Sequence, residues 1–461
     1  MKERLSRRKF LNLIGKGTTG LFLAPFLKST GIKAFAHQLD PPYLAQVAIT
    51  PANNYERTYI KQKVQYLCET LGGISNVVKS GNKVAIKINL TGGSGSADDE
   101  RLHGTSLQES IWTHPEVLRA VGELIIDCGV KGNDIYFVES LWDSASFNDY
   151  GYQAVQQSLG AQLVNLNNPA PYSAFIDKAV GEKKFYYSSF KMNQILSDVD
   201  VYVSIPKMKQ HYNAGVTHSI KNQIGIVPLQ HYVQSNRPGY RSALHYDGGD
   251  INTHLPRSIC DLFLARPVNL AIIDGIKNAE GGEGPWNSTF RTAAYNVLLA
   301  GKDAIATDSV ASFLMGNDPA APKIQLPDGH QCDNYLELLH QKGLGTNQLS
   351  EIEILGDGAG LVNAVIPEYK HILPENFILF QNFPNQFNSS TAIKFYLPRD
   401  ENVTIKIYNL SGQELEILAK SAFPAGQHKL YWSPKNLPSG IYFYQMQAGQ
   451  FSVSRKMIYA K

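Results

Sequence analysis

Cysteine is scarce in this chain of 461 residues: there are four, Cys68, Cys128, Cys260 and Cys332, set far apart with no C-x-x-C pair. That spacing encodes neither an iron–sulfur cluster motif nor a zinc ribbon and reads most simply as buried thiols. Net charge is scarce too. Lys and Arg number 43 against 40 Asp and Glu, a formal balance of +3, which gives no footprint for nucleic acid. No apolar run is long enough for a transmembrane segment. The P-loop, the G-x-S-x-G elbow and H-E-x-x-H are all missing, which argues against an NTPase, an α/β-hydrolase and a zincin; the one G-x-G-x-x-G match, GKGTTG at residues 15–20, falls in the N-terminal segment and follows none of the strand-like runs.

A hydrophobic fraction of 43% is enough for large cores, and the length exceeds one ordinary domain. Apolar strand-like runs at 84–89, 134–139, 162–166, 199–205, 268–274, 296–299 and 351–355 alternate with helical patterns at 152–159 and 303–315. A further helix is expected to follow Thr113, with Thr113 as its cap, Pro115 in the first turn, Glu116 next, and Gly129 past its end. This order predicts an α/β domain with a largely parallel sheet and flanking helices. Residues 361–376 carry two prolines and little periodicity, as a linker does. Beyond them, period-two alternation with turns at Ser411-Gly412 and Ser439-Gly440 predicts a small C-terminal β-sandwich over 377–461.

The densest chemistry lies in PKMKQHYNAGVTHSIKNQIG, residues 206–225, where Lys207, Lys209, His211, His218, Lys221 and Asn222 follow an apolar strand. A helix over 216–227 would set His218, Lys221 and Asn222 on one face. Lys207 and Lys209, two apart in an extended segment, would point the same way. Such a strand–loop–helix suits an anionic ligand, the alternative being a solvated basic loop. In an open parallel sheet, ligands bind beyond the carboxyl ends of the strands, so Asn89, Glu139, Lys207 and Asp274, each at a strand end, are expected to converge. Glu280 and Glu283 in a glycine-rich loop are either proton acceptors or part of a plain turn. His245, Asp247, Asp250 and His254 offer nitrogen and oxygen ligands for a metal without a recognised spacing.

The same stretches carry a resemblance. DVDVYVSIPKMKQH and GVTHSIKNQIG, with VAIKINLTGG from Val84, THPEVLRAVGELIIDCG from Thr113, IIDGIKNAEGGEGP from Ile272 and LLAGKDAIATDSVASFLMG from Leu298, resemble the domain of unknown function 362 family in its usual order. The resemblance implies no assigned activity. The iron–sulfur segments of some members are missing here. SRRKFL at residues 6–11, an apolar run at 18–27 and Ala34-Phe35-Ala36 resemble a twin-arginine signal with its cleavage site. QNFPNQFN, IYNLSGQ and SGIYFYQ resemble the type A sorting domain of the type IX secretion system.

The organisation expected is a signal peptide at 1–36, the α/β domain at 37–360, the linker, and the sorting sandwich. The partners implied are the twin-arginine translocase and the type IX secretion machinery. The location implied is the periplasm in transit, then the medium or the outer-membrane surface. The functional expectation is an anionic small molecule or cofactor held by Asn89, Lys207, Lys209, Lys221 and Asn222. His211 or His218 would transfer protons, with Glu139 and Asp274 orienting partners or a metal. This describes a proton-transfer or redox enzyme; the alternative is a non-catalytic surface ligand-binding protein.

Overall fold

The computed structural model describes residues 45–92, 106–238, 240–246, 248–363, 377–379, 382, 385, 387–424, 426–435 and 437–460. It has one compact unit built from residues 41–367 and another whose described part lies in 368–461. The export signature over 1–36 and Asp247 lie outside the described residues.

The larger unit is organised by a sheet. Its principal strands are β1 (Ala45–Pro51), β2 (Val84–Lys87), β3 (Ile135–Glu139), β4 (Gln162–Asn165), β5 (Val201–Ser204), β6 (Lys207–His211), β7 (Gly215–Thr217), β8 (Leu270–Glu280), β9 (Val297–Gly301) and β10 (Ile352–Leu355), with the short strand Arg291–Ala293 paired to the end of β8. The order along the sheet is β10-β1-β9-β8-β5-β2-β3-β4. From β8 to β4 every pairing is parallel, while β9 runs antiparallel to both β8 and β1. β2, β3 and β5 are buried at every position, as strands covered on both faces are.

Helix α1 (Arg57–Thr70) buries Ile60, Val64, Leu67 and Cys68, a single stripe at helical spacing. It packs with α2 (Pro115–Asp127) and α3 (Tyr152–Leu159) in the core that contains Val84 and Ile86. Helices α4 (Ile251–Ala265) and α5 (Ala304–Leu314) pack in the second core, which contains Ala85 and Tyr202. Gly129 and Gly160, at φ 88° and 64°, follow α2 and α3 in the left-handed conformation that ends a helix.

Two local expectations are corrected. The cap of α2 is His114, whose Nδ1 accepts from Glu116 N at 3.1 Å. Thr113 Oγ1 instead accepts from Asn89 N at 2.9 Å and donates to the Ile205 carbonyl, tying two strand ends together. The helix expected over 216–227 is also absent. Gly215–Thr217 is strand β7, antiparallel to β6 with Thr217 opposite Lys209, and Lys221–Ile226 is a short 3-10 helix. Asp308 of α5 captures the intervening turn, accepting from Ser219 N, Ser219 Oγ and Ile220 N.

The second unit has β11 (Ile378–Leu379), β12 (Thr391–Leu397), β13 (Glu401–Asn409), β14 (Glu414–Phe423), β15 (Gly426–Trp432), β16 (Gly440–Ala448) and β17 (Phe451–Tyr459). They form antiparallel sheets β11-β12-β15 and β14-β13-β16-β17. Inward residues of both sheets, Phe395, Ile405, Trp432, Tyr442 and Tyr444 among them, share one core. Phe395, Trp432, Tyr442 and Tyr444 thus serve packing, as their alternation predicts.

Candidate functional site

Parallel pairing brings the carboxyl ends of β2, β3, β5 and the middle of β8 to one edge, and the polar residues gather there. Lys87, the last residue of β2, is buried within an otherwise apolar strand. Its Nζ donates to Glu139 Oε2 at 2.8 Å, the Ile88 carbonyl at 2.6 Å and Asn222 Oδ1 at 3.3 Å. Glu139 also accepts from Leu90 N and Ser140 N. Burial lowers the Lys87 titration, opposed by Glu139. Gly225 closes over the pair: a Cβ there would stand 2.1 Å from Glu139 Oε1 and 2.8 Å from Lys87 Nζ, so only glycine fits.

A second buried pair is Lys207 with Asp274, at 2.9 Å and both without exposure. Lys207 Nζ also donates to Tyr55 Oη at 2.6 Å. Asp274 accepts from Tyr55 Oη, His114 N and Ile276 N. The Tyr55 ring stacks on His114 at 3.7 Å. Lys207 and Asp274 therefore neutralise each other, so Lys207 already has the counter-charge that an anionic ligand would bring.

The third group lies between them. Lys209 Nζ donates to Asn89 Oδ1 at 3.2 Å and the Ile111 carbonyl at 2.9 Å, and Asn89 Nδ2 donates to Asn222 Oδ1 at 2.9 Å. Asn89, Lys209 and Asn222 thus form one network with Lys87 and Glu139. Lys221 differs from the other lysines. It is 7% exposed, yet its ammonium makes no hydrogen bond or ion pair among the described residues. Burial moves its titration down to about 8, with Glu283 opposing and Lys87 and Arg241 reinforcing.

His211 Nδ1 accepts from Asn213 N at 3.3 Å and stands 3.7 Å from Glu283 Oε2. Burial keeps the ring neutral against the pull of Glu283, which leaves its proton on Nε2. For Glu283, burial raises the carboxyl titration. With His211 neutral, the hydrogen bonds from Trp286 Nε1 and Tyr212 N and the charge of Lys221 oppose that and draw the titration down.

Arg241, also buried, donates to the carbonyls of Val227 and Ser140. Five basic side chains, Lys87, Lys207, Lys209, Lys221 and Arg241, thus share this edge with three acidic ones, Glu139, Asp274 and Glu283. The surplus is cationic. A surface cleft of about 310 Å³ lined by Gly281, Thr289, Arg291, Leu326, Pro327 and Asp328 opens beside the Glu283 loop rather than over the lysines.

Other sequence candidates lie outside this network. His218 is fully buried, and neither ring nitrogen makes a hydrogen bond. Burial lowers its titration to about 3; the Thr217 backbone opposes this slightly without hydrogen-bonding geometry, and no charged side chain contributes. His245 Nδ1 lies 2.9 Å from the Arg241 carbonyl. His254 stacks on Tyr186 with Nε2 3.3 Å from the Ala243 carbonyl. Asp250 is the N-cap of α4. Among the described residues no group of three or more His, Cys, Asp or Glu side chains is arranged to hold a metal.

Lys87, Tyr55, His114 and Arg241 are the participants that motif reading misses. For Lys87 the signal was present, a lysine inside a buried strand, which requires a partner.

Fold and site together define an α/β protein with a cationic cluster at the carboxyl edge of its sheet, followed in the chain by a β-sandwich. Comparison with known proteins supplies the families. Residues 84–312 match the family described as Domain of unknown function (DUF362), and residues 381–460 match the Secretion system C-terminal sorting domain. Both matches are found in this chain, and the sorting domain implies the type IX machinery and export toward the cell surface. Thylakoid-associated protein sll1697 of Synechocystis sp. is 26% identical over 281 residues, 59% of this chain and 75% of that protein. Among solved structures, an engineered protein aligns over 87% of this chain and 80% of its own, with 10% identity and a TM-score of 0.18. An endo-beta-1,4-mannanase from Thermotoga petrophila aligns over 89% and 97%, with 9% identity and a TM-score of 0.17. Scores this low carry no argument about fold or activity. No helix among the described residues is long and apolar enough to cross a membrane.

Proposed function

We propose that this exported protein binds a small anionic molecule at the carboxyl edge of its parallel sheet, with Lys221 as the principal cation and Lys209, Asn89 and Asn222 beside it. The observation that carries the reading is Lys221: a lysine 7% exposed, without a hydrogen bond or ion pair among the described residues, amid a surplus of basic side chains. An ammonium buried in this way is costly unless an anion meets it. Lys207 and Asp274 serve this site by holding its wall. Entry by the twin-arginine route, through the signature at residues 6–11, belongs to the same reading.

Proton transfer to or from the bound anion is a second reading. It is favoured by neutral His211 standing 3.7 Å from Glu283 and coupled electrostatically to Lys221. Calorimetric titration with small carboxylates and inorganic anions, on wild type and Lys221→Met, tests the first reading. Binding that weakens by about 10- to 100-fold in the variant supports it, and equal affinity in both proteins rejects it.

A further inference from the structure

Lys209 lies in β6 with no exposure. Lys87 has Glu139 and Lys207 has Asp274, but among the described residues Lys209 has no carboxylate partner. Its Nζ donates to two neutral oxygens, Asn89 Oδ1 and the Ile111 carbonyl. A neutral amine has two N–H groups, and here both are used. The third N–H of an ammonium finds no acceptor among the described residues.

The charged groups facing Lys209 are Lys207 on its own strand, Lys221 in the 3-10 turn, Glu283 in the loop after β8 and Glu139 at the end of β3. Burial is the strongest influence on its titration. Lys221 and Lys207 add to it and Glu283 and Glu139 oppose it, so the amine titrates well below the ordinary lysine range. An anion seated at Lys221 reverses this balance, because it supplies both the missing counter-charge and the missing acceptor.

Resting on the anion-binding reading above, we propose that the anion enters with a proton: binding at Lys221 converts Lys209 from amine to ammonium, and its third N–H then donates to the ligand. The amine lone pair forms the new N–H bond with a proton released by the buffer acid, and nothing is oxidised or reduced. The ligand class follows from the two donors. It is an oxyanion with at least two acceptor oxygens, one for Lys221 and one for Lys209, rather than a halide.

Titration of the full chain with sulfate and with succinate, neither of which titrates near neutrality, reads the protons directly when repeated in buffers of different ionisation enthalpy. At pH 7 about half to one proton taken up per anion is expected, and affinity should fall by up to about tenfold per pH unit between 7 and 8. Lys221, titrating at about 8, accounts for about a tenth of a proton at pH 7. Lys209→Met should therefore bind more weakly, with uptake reduced to about that remainder.

Binding without proton uptake in wild type overturns this inference and leaves the anion-binding reading standing. Failure of both anions to bind overturns both. Full uptake retained in Lys209→Met assigns the proton to another group, such as His211 or His245, and also overturns the inference. Should Lys209→Met fail to fold, Lys209→Gln takes its place in the same comparison, with the same outcomes deciding.

Discussion

Replacing Lys207 by methionine separates a structural lysine from a ligand-binding one. Lys207 Nζ and Asp274 Oδ2 are 2.9 Å apart with both side chains fully buried. Methionine keeps the length of the stem and removes the cation, leaving the Asp274 carboxylate in a low-dielectric interior. Loss of one partner of a buried pair costs about 3–5 kcal/mol. Tyr55 Oη and the amides of His114 and Ile276 continue to donate to Asp274, so the lower end, about 3 kcal/mol, is expected.

Urea unfolding followed by tryptophan fluorescence is a suitable assay, because Trp112, Trp142 and Trp286 all lie in the unit of residues 41–367. Asp274→Asn added to Lys207→Met should restore part of the loss by removing the orphaned charge. Lys221→Met is the control. It deletes a buried cation without a hydrogen bond or ion pair among the described residues, so stability should change by less than about 1 kcal/mol or should rise. Wild-type stability in Lys207→Met, or an equal loss in Lys221→Met, would refute the division between paired and unpaired lysines.

Gly225→Ala should destabilise the α/β unit by about 1–3 kcal/mol, because the new Cβ would fall 2.1 Å from Glu139 Oε1; a variant that melts with wild type would remove the close-approach argument. His114, His218 and His245 are held neutral, mainly by burial, at about 4, about 3 and about 4. Unfolded rings charge near 6.5, so the unfolded state binds more protons below that pH. Stability from these rings is therefore complete above about pH 6.5 and falls toward pH 4 by about 1.4 kcal/mol per pH unit for each ring. His218→Gln should remove its share of this slope in denaturation curves taken across pH 4–7, and an unchanged slope would count against the buried neutral ring. Removal of residues 377–461 should leave a folded α/β unit that binds anions but stays in the periplasm; cell fractionation checks this, and normal surface delivery of the truncated chain would contradict the sorting role.

Much of the fold was legible because apolar strands and helix ends announce themselves locally: VAIK, IYFVE and VYVS are fully buried, as their largely apolar sequences predict. The gathering of Asn89, Glu139, Lys207 and Asp274 at the sheet edge follows from the position of the strand ends in a parallel sheet. What was not legible depends on partners distant in sequence. Lys207 and Asp274, 67 residues apart, are expected at the same sheet edge, but their direct ion pair depends on the β6–β8 register that sets them opposite each other. The spacing of His218, Lys221 and Asn222 suggested one helical face. Asp308, 89 residues beyond Ser219, pins the turn between them instead, and His218 is buried apart from the charges. Lys87 escaped notice because one lysine hardly alters the hydrophobic reading of its strand, although its burial dictates a partner such as Glu139.

The central claim is that Lys221 meets an anion, and the most direct measurement is a crystal structure of the protein soaked with selenate, read by anomalous scattering at the selenium edge. The account predicts an anomalous peak whose oxygens lie within about 3 Å of Lys221 Nζ, lost in Lys221→Met. An ordered Lys221 with no peak beside it, in crystals where selenate binds elsewhere, would contradict it.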